Sequence, residues 1–281
     1  MASIEQYVDS HVAVITLNDG EHGNLLSPEG LDKLAGALEL TLGDPQVRAV
    51  LLRSNGPAFC LGMDLARLAE HGSPGSRAEA ERAVDRFAGV LQTIYSAALP
   101  VVCLVEGEVK AGGVGLVCAC DIVVARERAT FELGEVIFGL IPANVLPLLS
   151  LRVPPQKARY MVMSSCRISA PEALRLNLVD ELVTGREAAE RRVRELLKRL
   201  LCSSPRALAE AKKFTAELIG MSPEQGSVLA RDRLVGMMHD PHTLEGVNAF
   251  QEGHMPAWFS RFRPSRPLAL SRAGEGEEGA R

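Results

Sequence analysis

Short strand-like runs separated by helical stretches recur along this 281-residue chain as far as residue 183. The runs "VAVITL" (12–17), "RAVLLRS" (48–54), "VVCLVEG" (101–107), "DIVVARERATF" (121–131) and "LVDELV" (178–183) are apolar and rich in β-branched residues, as strands are. Between the first two, "SPEGLDKLAGALELTLGD" offers Ser27 as N-cap, Pro28 in the first turn, and Leu31, Leu34 and Leu38 at helical spacing. Further on, "SPGSRAEAERAVDRFAGVLQTIYSAALP" reads as a polar loop and an amphipathic helix that Pro100 ends. Units of strand, turn and helix that cannot bury their faces alone must stack on one another. The pattern predicts an α/β fold built as a spiral over residues 1–184, not a doubly wound sheet.

From residue 185 the pattern turns helical, so 185–263 is expected to be a helical C-terminal region. Residues 264–281, rich in Pro, Gly and charge, are expected to form a frayed, disordered tail. Composition narrows the function. A hydrophobic fraction of 47% supports a large core, and a net charge of −4 provides no field for phosphate backbones or anionic lipid, so nucleic acid and membrane are not expected partners. No apolar run reaches membrane length and the N-terminal stretch lacks the basic patch of a signal peptide, which predicts a cytoplasmic protein. The six cysteines (Cys60, Cys103, Cys118, Cys120, Cys166, Cys202) show neither zinc-ligand spacing nor disulfide-scaffold density and read as buried reduced thiols, with no metal site.

The segment "VEGEVKAGGVGLVCACDIVVA" (105–125) passes from a strand through a glycine-rich turn into small residues and a second strand. It fits neither G-x-x-x-x-G-K-[ST] nor G-x-G-x-x-G, so it is not a nucleotide-phosphate cradle. Two readings stay open at this point. Gly112 and Gly113 let backbone N–H groups at a helix start approach a developing negative charge, or they mark close helix-on-sheet packing. The stretch "FCLGMD" (59–64) is a second strand-end, glycine turn and helix start, so two turns far apart in the chain can each supply one N–H to a single carbonyl oxygen.

Taken together, "AFCLGMDL", "VEGEVKAGGVGLVCACDIVVA" and "ATFELGEVIFGLIPANVLP" resemble, in order and separation, the three signature regions of the crotonase (enoyl-CoA hydratase/isomerase) superfamily, over about residues 4 to 260. The resemblance implies a crotonase-like spiral of ββα units with a helical C-terminal trimerisation region. It implies an oxyanion hole for a thioester carbonyl, formed by the backbone N–H groups of Met63 and Gly112 beside Gly113. Hydratases of the family use two glutamates. The first falls on Gly115 and is lost here; the second falls on Glu135 and is retained.

A dehydration needs a base for the α-proton and an acid for the departing hydroxyl, and Glu135 can serve as both in turn. The apolar neighbours in "GEVIFGLI" would raise its pKa. Asp64, just after the oxyanion donor, either caps a short helix or protonates the leaving group. Lys110 is either a solvated lysine at a strand end or the partner of a second carboxylate on the substrate, and Asn144 either touches the substrate hydroxyl or caps a helix. Glu132, three residues before Glu135, is expected at the surface. His239 and His242 read as structural or interfacial.

Within the superfamily the same segments, with "PPQKARYMVMSSCRISAPEAL", most resemble the dehydratases of polyketide β-branching cassettes. That subgroup implies removal of water from 3-hydroxy-3-methylglutaryl on an acyl carrier protein, giving a 3-methylglutaconyl thioester. It also implies acidic carrier-protein helices meeting basic residues near the channel mouth. The Lys110 at this position departs from the group. The resemblance implies no cofactor beyond the phosphopantetheine of the carrier protein, or coenzyme A, and a homotrimer with pairing into a hexamer left open. Alternatives are an enoyl-CoA or methylglutaconyl-CoA hydratase, a decarboxylase of the superfamily, and a catalytically silent scaffold.

Overall fold

The structure, a computed structural model, describes residues 4–63 and 77–269. Ten strands fall into two sheets. The larger joins β1 (Ile4–Asp9), β2 (Val12–Leu17), β3 (Ala49–Ser54), β5 (Val101–Val105), β7 (Ile122–Arg126) and β10 (Glu181–Val183) in that order. The smaller joins β4 (Ala58–Cys60), β6 (Glu108–Lys110), β8 (Thr130–Glu132) and β9 (Ile168–Ser169). Only β1–β2 and β8–β9 are antiparallel. Each successive pair, β3–β4, β5–β6 and β7–β8, sends one strand to each sheet before the chain returns, which is the expected spiral of ββα units.

All six residues of β2 and of β3 are buried, because both faces of the large sheet are covered. Side chains alternate across the pleat: Ile15, Val50, Leu52, Cys103 and Val123 join one core, and Val14, Leu51, Val102, Leu104 and Val124 join the other. The first core is closed by α1 (Pro28–Gly43), capped by the Ser27 side chain as its sequence predicts, by α2 (Arg77–Ser96) and by α3 (Gly112–Ala119). On α2 the buried residues are Phe87, Val90, Leu91 and Ile94, one stripe of a 3.6-residue period.

Three short helices follow: α4 (Leu146–Arg152), α5 (Pro155–Ser164) and α6 (Ala170–Arg175). Two aspartates repeat a joint between turns of the spiral. Asp121 accepts from the Val101 N–H at 2.7 Å, and one turn later Asp180 accepts from the Val123 N–H at 2.7 Å. Each tethers the start of one strand of the large sheet to its neighbour.

The C-terminal region differs from expectation in two respects. Its first helix, α7 (Gly185–Cys202), is part of the spiral's own packing and not of a separate region: Ala189, Val193, Leu197 and Leu201 form the second core with the large sheet. The tail expected from residue 264 is packed through residue 269, with Leu268 and Ala269 buried. The buried Arg53 explains this, since its Nη1 donates to the carbonyls of Pro267 (2.8 Å) and Leu268 (2.7 Å). Glu190 Oε2 accepts from the amides of Leu268 and Ala269. Beyond α7 lie α8 (Pro205–Glu217), α9 (Pro223–Met238) and α10 (Pro241–Gln251), in which Gly226 alone is fully buried. Among the described residues no helix is long and apolar enough to cross a membrane.

Candidate active site

Two turns meet at the ends of neighbouring strands of the small sheet. After β4, the chain turns at Gly62, whose φ of +87° suits glycine. The turn is fixed from the side: Leu61 N–H donates to Gly23 O at 3.0 Å and Leu26 N–H donates to Gly62 O at 2.8 Å. Met63 pairs with Leu26 as an isolated parallel bridge. In this register Leu26 bonds the carbonyl of Gly62, the residue before Met63, and not a group of Met63 itself.

After β6, Ala111 takes φ 48° and ψ −122°, a conformation costly for a residue with a Cβ. It is held there by its N–H donating to Glu132 O at 2.9 Å and by its own carbonyl accepting from Val114 N–H at 2.9 Å. The twist starts α3 at Gly112, and the first N–H groups of a helix have no intrahelical acceptor. All eight residues of α3 are buried. The two turns touch. A Cβ on Gly62 would stand 2.7 Å from Ala111 Cβ and 3.1 Å from Gly112 N, and one on Gly113 would stand 2.4 Å from Cys60 O. The glycines therefore allow close packing and bring two main-chain turns together.

Glu135 opens a 3₁₀ turn (Glu135–Phe138) just past β8. Since β8 pairs with β6 through Lys110 and Glu132, the carboxylate enters from the strand adjoining the one that leads to Gly112. Burial raises its pKa above the ordinary glutamate value. Its Oε2 is buried without a hydrogen-bond partner among the described residues. A half-buried acid whose one buried oxygen has no partner among the described residues is suited to taking up a proton.

The profile of the enoyl-CoA hydratase/isomerase family matches residues 8–261. The chain belongs to the enoyl-CoA hydratase/isomerase family. It is 34% identical to the carnitinyl-CoA dehydratase of Salmonella typhi over 225 residues, covering 78% of this chain and 84% of the other. The solved enoyl-CoA hydratase of Mycobacterium smegmatis is similar with a TM-score of 0.83 at 31% identity, covering 91% and 98% of the two chains. An enoyl-CoA hydratase from Shewanella pealeana gives 0.86 at 25%, covering 91% and 95%. The protein is accordingly a hydro-lyase of the hydratase/dehydratase type.

The Gly115 position, where the resemblance puts the family's first glutamate, is crowded by apolar side chains. Gly115 is buried, and a Cβ there would stand 3.2 Å from Leu91 Cδ1, 3.2 Å from Val145 Cγ2 and 3.4 Å from Phe87 Cζ. Sequence reasoning missed these three apolar residues. The signal available was the spacing of Phe87 and Leu91 on α2, which reads only as core.

Lys110 projects from the small sheet with Glu108, Glu132 and Arg167. Its Nζ stands 3.8 Å from Glu132 and 4.0 Å from Glu108, while Arg167 reaches the same two carboxylates at 3.5 and 3.4 Å. Lys110 is thus neither a free solvated lysine nor held by a tight pair, and Glu132 is ion-paired. Asn144 donates from Nδ2 to Val84 O at 3.0 Å, tying the segment before α4 to α2. It caps no helix start. Asp64 lies outside the described residues.

The thiols are largely as expected: Cys60, Cys103, Cys118 and Cys120 are buried, but Cys166 is exposed and Cys202 half-buried. Burial pushes the Cys60 and Cys118 thiols up to about 12, so neither is a nucleophile. A cleft of about 450 Å³ lies at the far end of α3, lined by Asp121, Arg152, Asp180 and Lys212 among others. Its charges are joined as Lys212–Asp121 (2.8 Å) and Arg152–Asp180 (2.6 Å), so it brings no free acid or base to the reaction.

Proposed function

We propose that this hydro-lyase removes water from a 3-hydroxy-3-methylglutaryl thioester carried on an acyl carrier protein, giving a 3-methylglutaconyl thioester. Glu135 takes the proton from Cα, and the electron pair of that C–H bond passes to the thioester carbonyl. The resulting enolate oxygen is held by the N–H groups of Met63 and Gly112, each such donor being worth roughly 2.7 to 4 kcal/mol in a transition state. Collapse of the enolate forms the Cα–Cβ double bond and breaks the Cβ–O bond. The departing hydroxide takes the proton from Glu135 and leaves as water, restoring the carboxylate.

The observation that carries the reading is Glu135, whose buried Oε2 has no hydrogen-bond partner among the described residues, while apolar side chains crowd the Gly115 position. The substrate's second carboxylate is matched by Lys110, which would exchange its long contacts with Glu108 and Glu132 for a shorter one while Arg167 goes on neutralising both glutamates. A second copy of the chain is the proposed cover for the exposed apolar residues of α9 and α10, among them Leu234, Met238 and Phe250, and of Ile137, Phe138 and Ile141 beside the site. That favours self-association, and the family resemblance makes the proposed assembly a homotrimer.

The test is incubation with 3-hydroxy-3-methylglutaryl on carrier protein and on coenzyme A, read by mass spectrometry for loss of one water, with Glu135→Gln alongside. Turnover on the carrier protein that disappears in the variant supports the reading. Turnover on coenzyme A alone favours a CoA-linked hydratase or dehydratase, the reading consistent with the names of the relatives. Loss of carbon dioxide identifies a decarboxylase, and no mass change on either carrier identifies a scaffold.

A further inference from the structure

One aromatic ring underlies both the proposed oxyanion donor and the place where a second acid would stand. Phe87 Cζ lies 3.1 Å from where a Cβ on Gly112 would be and 3.4 Å from where one on Gly115 would be. Leu26 Cδ1 completes the floor under Gly112 at 3.3 Å, and Leu91 and Val145 complete the wall at Gly115. Phe87, Leu91 and Val145 are each 2% exposed and carry no polar side-chain atom. A side chain starting at Gly115 would therefore have to leave through apolar neighbours, which disfavours an ionised group held among them.

We propose that Phe87 is a positioning residue: its ring bears on the first turn of α3, fixes the direction of the Gly112 N–H, and with Leu91 and Val145 keeps any second acid, and water, out of the Gly115 position. The register of α3 supports this. Ala111 is held in its strained conformation by hydrogen bonds to Glu132 and Val114, so the next residue, Gly112, is the one that the ring supports from below. With the ring gone, the first turn of α3 loses that support and the Gly112 N–H can shift. The consequence for specificity is that no proton is delivered from the Gly115 position. The catalytic half of this inference rests on the role given to Glu135 above, whereas the packing half does not.

The experiment is a double-mutant cycle on the full chain with Gly115→Glu and Phe87→Ala, followed by thermal unfolding and kinetics. Gly115→Glu alone is expected to lower Tm sharply, and the double variant is expected to lie well above the sum of the two single losses, because the vacated ring volume receives the glutamate. Additive losses would overturn the packing half. Should Gly115→Glu fail to fold, recovery of soluble protein in the double variant is the same result, and failure of both overturns it.

For the catalytic half, Phe87→Ala is expected to lower kcat about 100-fold at nearly unchanged KM, the scale of a misplacement of about 1 Å. Phe87→Leu is expected to restore most of that loss. The double variant gains a second ionisation in its pH–rate profile. Wild-type kcat in Phe87→Ala overturns this half. Turnover in Glu135→Gln would instead remove the role of Glu135 and leave the Tm coupling untouched, so the two failures are distinct.

Discussion

Gly62 lies against Gly112 across the junction of the two turns, near enough that a Cβ on the first would stand 3.1 Å from the amide nitrogen of the second. Gly62→Ala therefore does three things. It places a side chain at φ +87°, drives it toward Ala111 and pushes the two main-chain amides apart. The left-handed conformation alone costs about 1 to 2 kcal/mol. Turnover is expected to fall by about 10²- to 10³-fold, the scale of losing one oxyanion donor. Steady-state kinetics on folded variant, checked by circular dichroism, reads this.

Glu135→Gln is expected to remove about 10²- to 10⁴-fold of turnover. Its stability should depend on pH in a definite sense. Burial raises the folded-state pKa of Glu135, so between the ordinary glutamate value and the raised one the folded protein holds more proton than the unfolded chain. Stability from this group falls as pH rises through that window, and the penalty is complete above it. The glutamine variant lacks the penalty. Its Tm is expected to exceed that of wild type at about pH 8, with the difference closing below about pH 4. The rate of the wild type should likewise rise with pH through the raised pKa, since the base acts ionised.

Lys110→Met separates substrate recognition from chemistry. With a 3-hydroxy-3-methylglutaryl thioester, KM is expected to rise about tenfold, the loss of one modest charge-assisted contact, with kcat little changed. With a β-hydroxy thioester lacking the second carboxylate, KM should stay near the wild-type value. Equal behaviour on both substrates would leave Lys110 as part of the surface ion-pair cluster with Glu108, Glu132 and Arg167.

Arg53→Ala removes a buried guanidinium and leaves the carbonyls of Pro267 and Leu268 without its two hydrogen bonds. Each buried group left unpaired costs about 1 to 3 kcal/mol. A loss of about 3 kcal/mol in urea-unfolding stability is expected, with kcat unchanged, because the clamp lies on the large sheet and not at the junction of the two turns.

The strands of the large sheet are legible because "VAVITL" and "VVCLVEG" are continuous apolar runs, and the packing of β2 and β5 between two cores explains why. The small sheet is much harder to read. Its strands β6, β8 and β9 are two or three residues long, too short for any periodicity to separate them from turns. Glu135 and the two glycine turns were accessible from local chemistry joined to a family resemblance. Phe87 was not, because its importance comes from a contact between α2 and α3 that spacing along either helix cannot express. The packed residues 264–269 were misread for a similar reason: Arg53, which secures them, is more than two hundred positions earlier in the chain.

That clamp has a consequence for how the molecule is made. Arg53 lies in β3, in the middle of a sheet whose other strands are all synthesised before residue 184, yet its acceptors are carbonyls of Pro267 and Leu268. Until residues 267 and 268 have been made, Arg53 can bond Thr16 and Tyr7 but not those two carbonyls, so part of its hydrogen-bonding capacity stays open. Closure of this part of the sheet thus waits until Pro267 and Leu268 have been synthesised, and a stalled or clipped product ending before Pro267 should be a readier substrate for quality-control proteases.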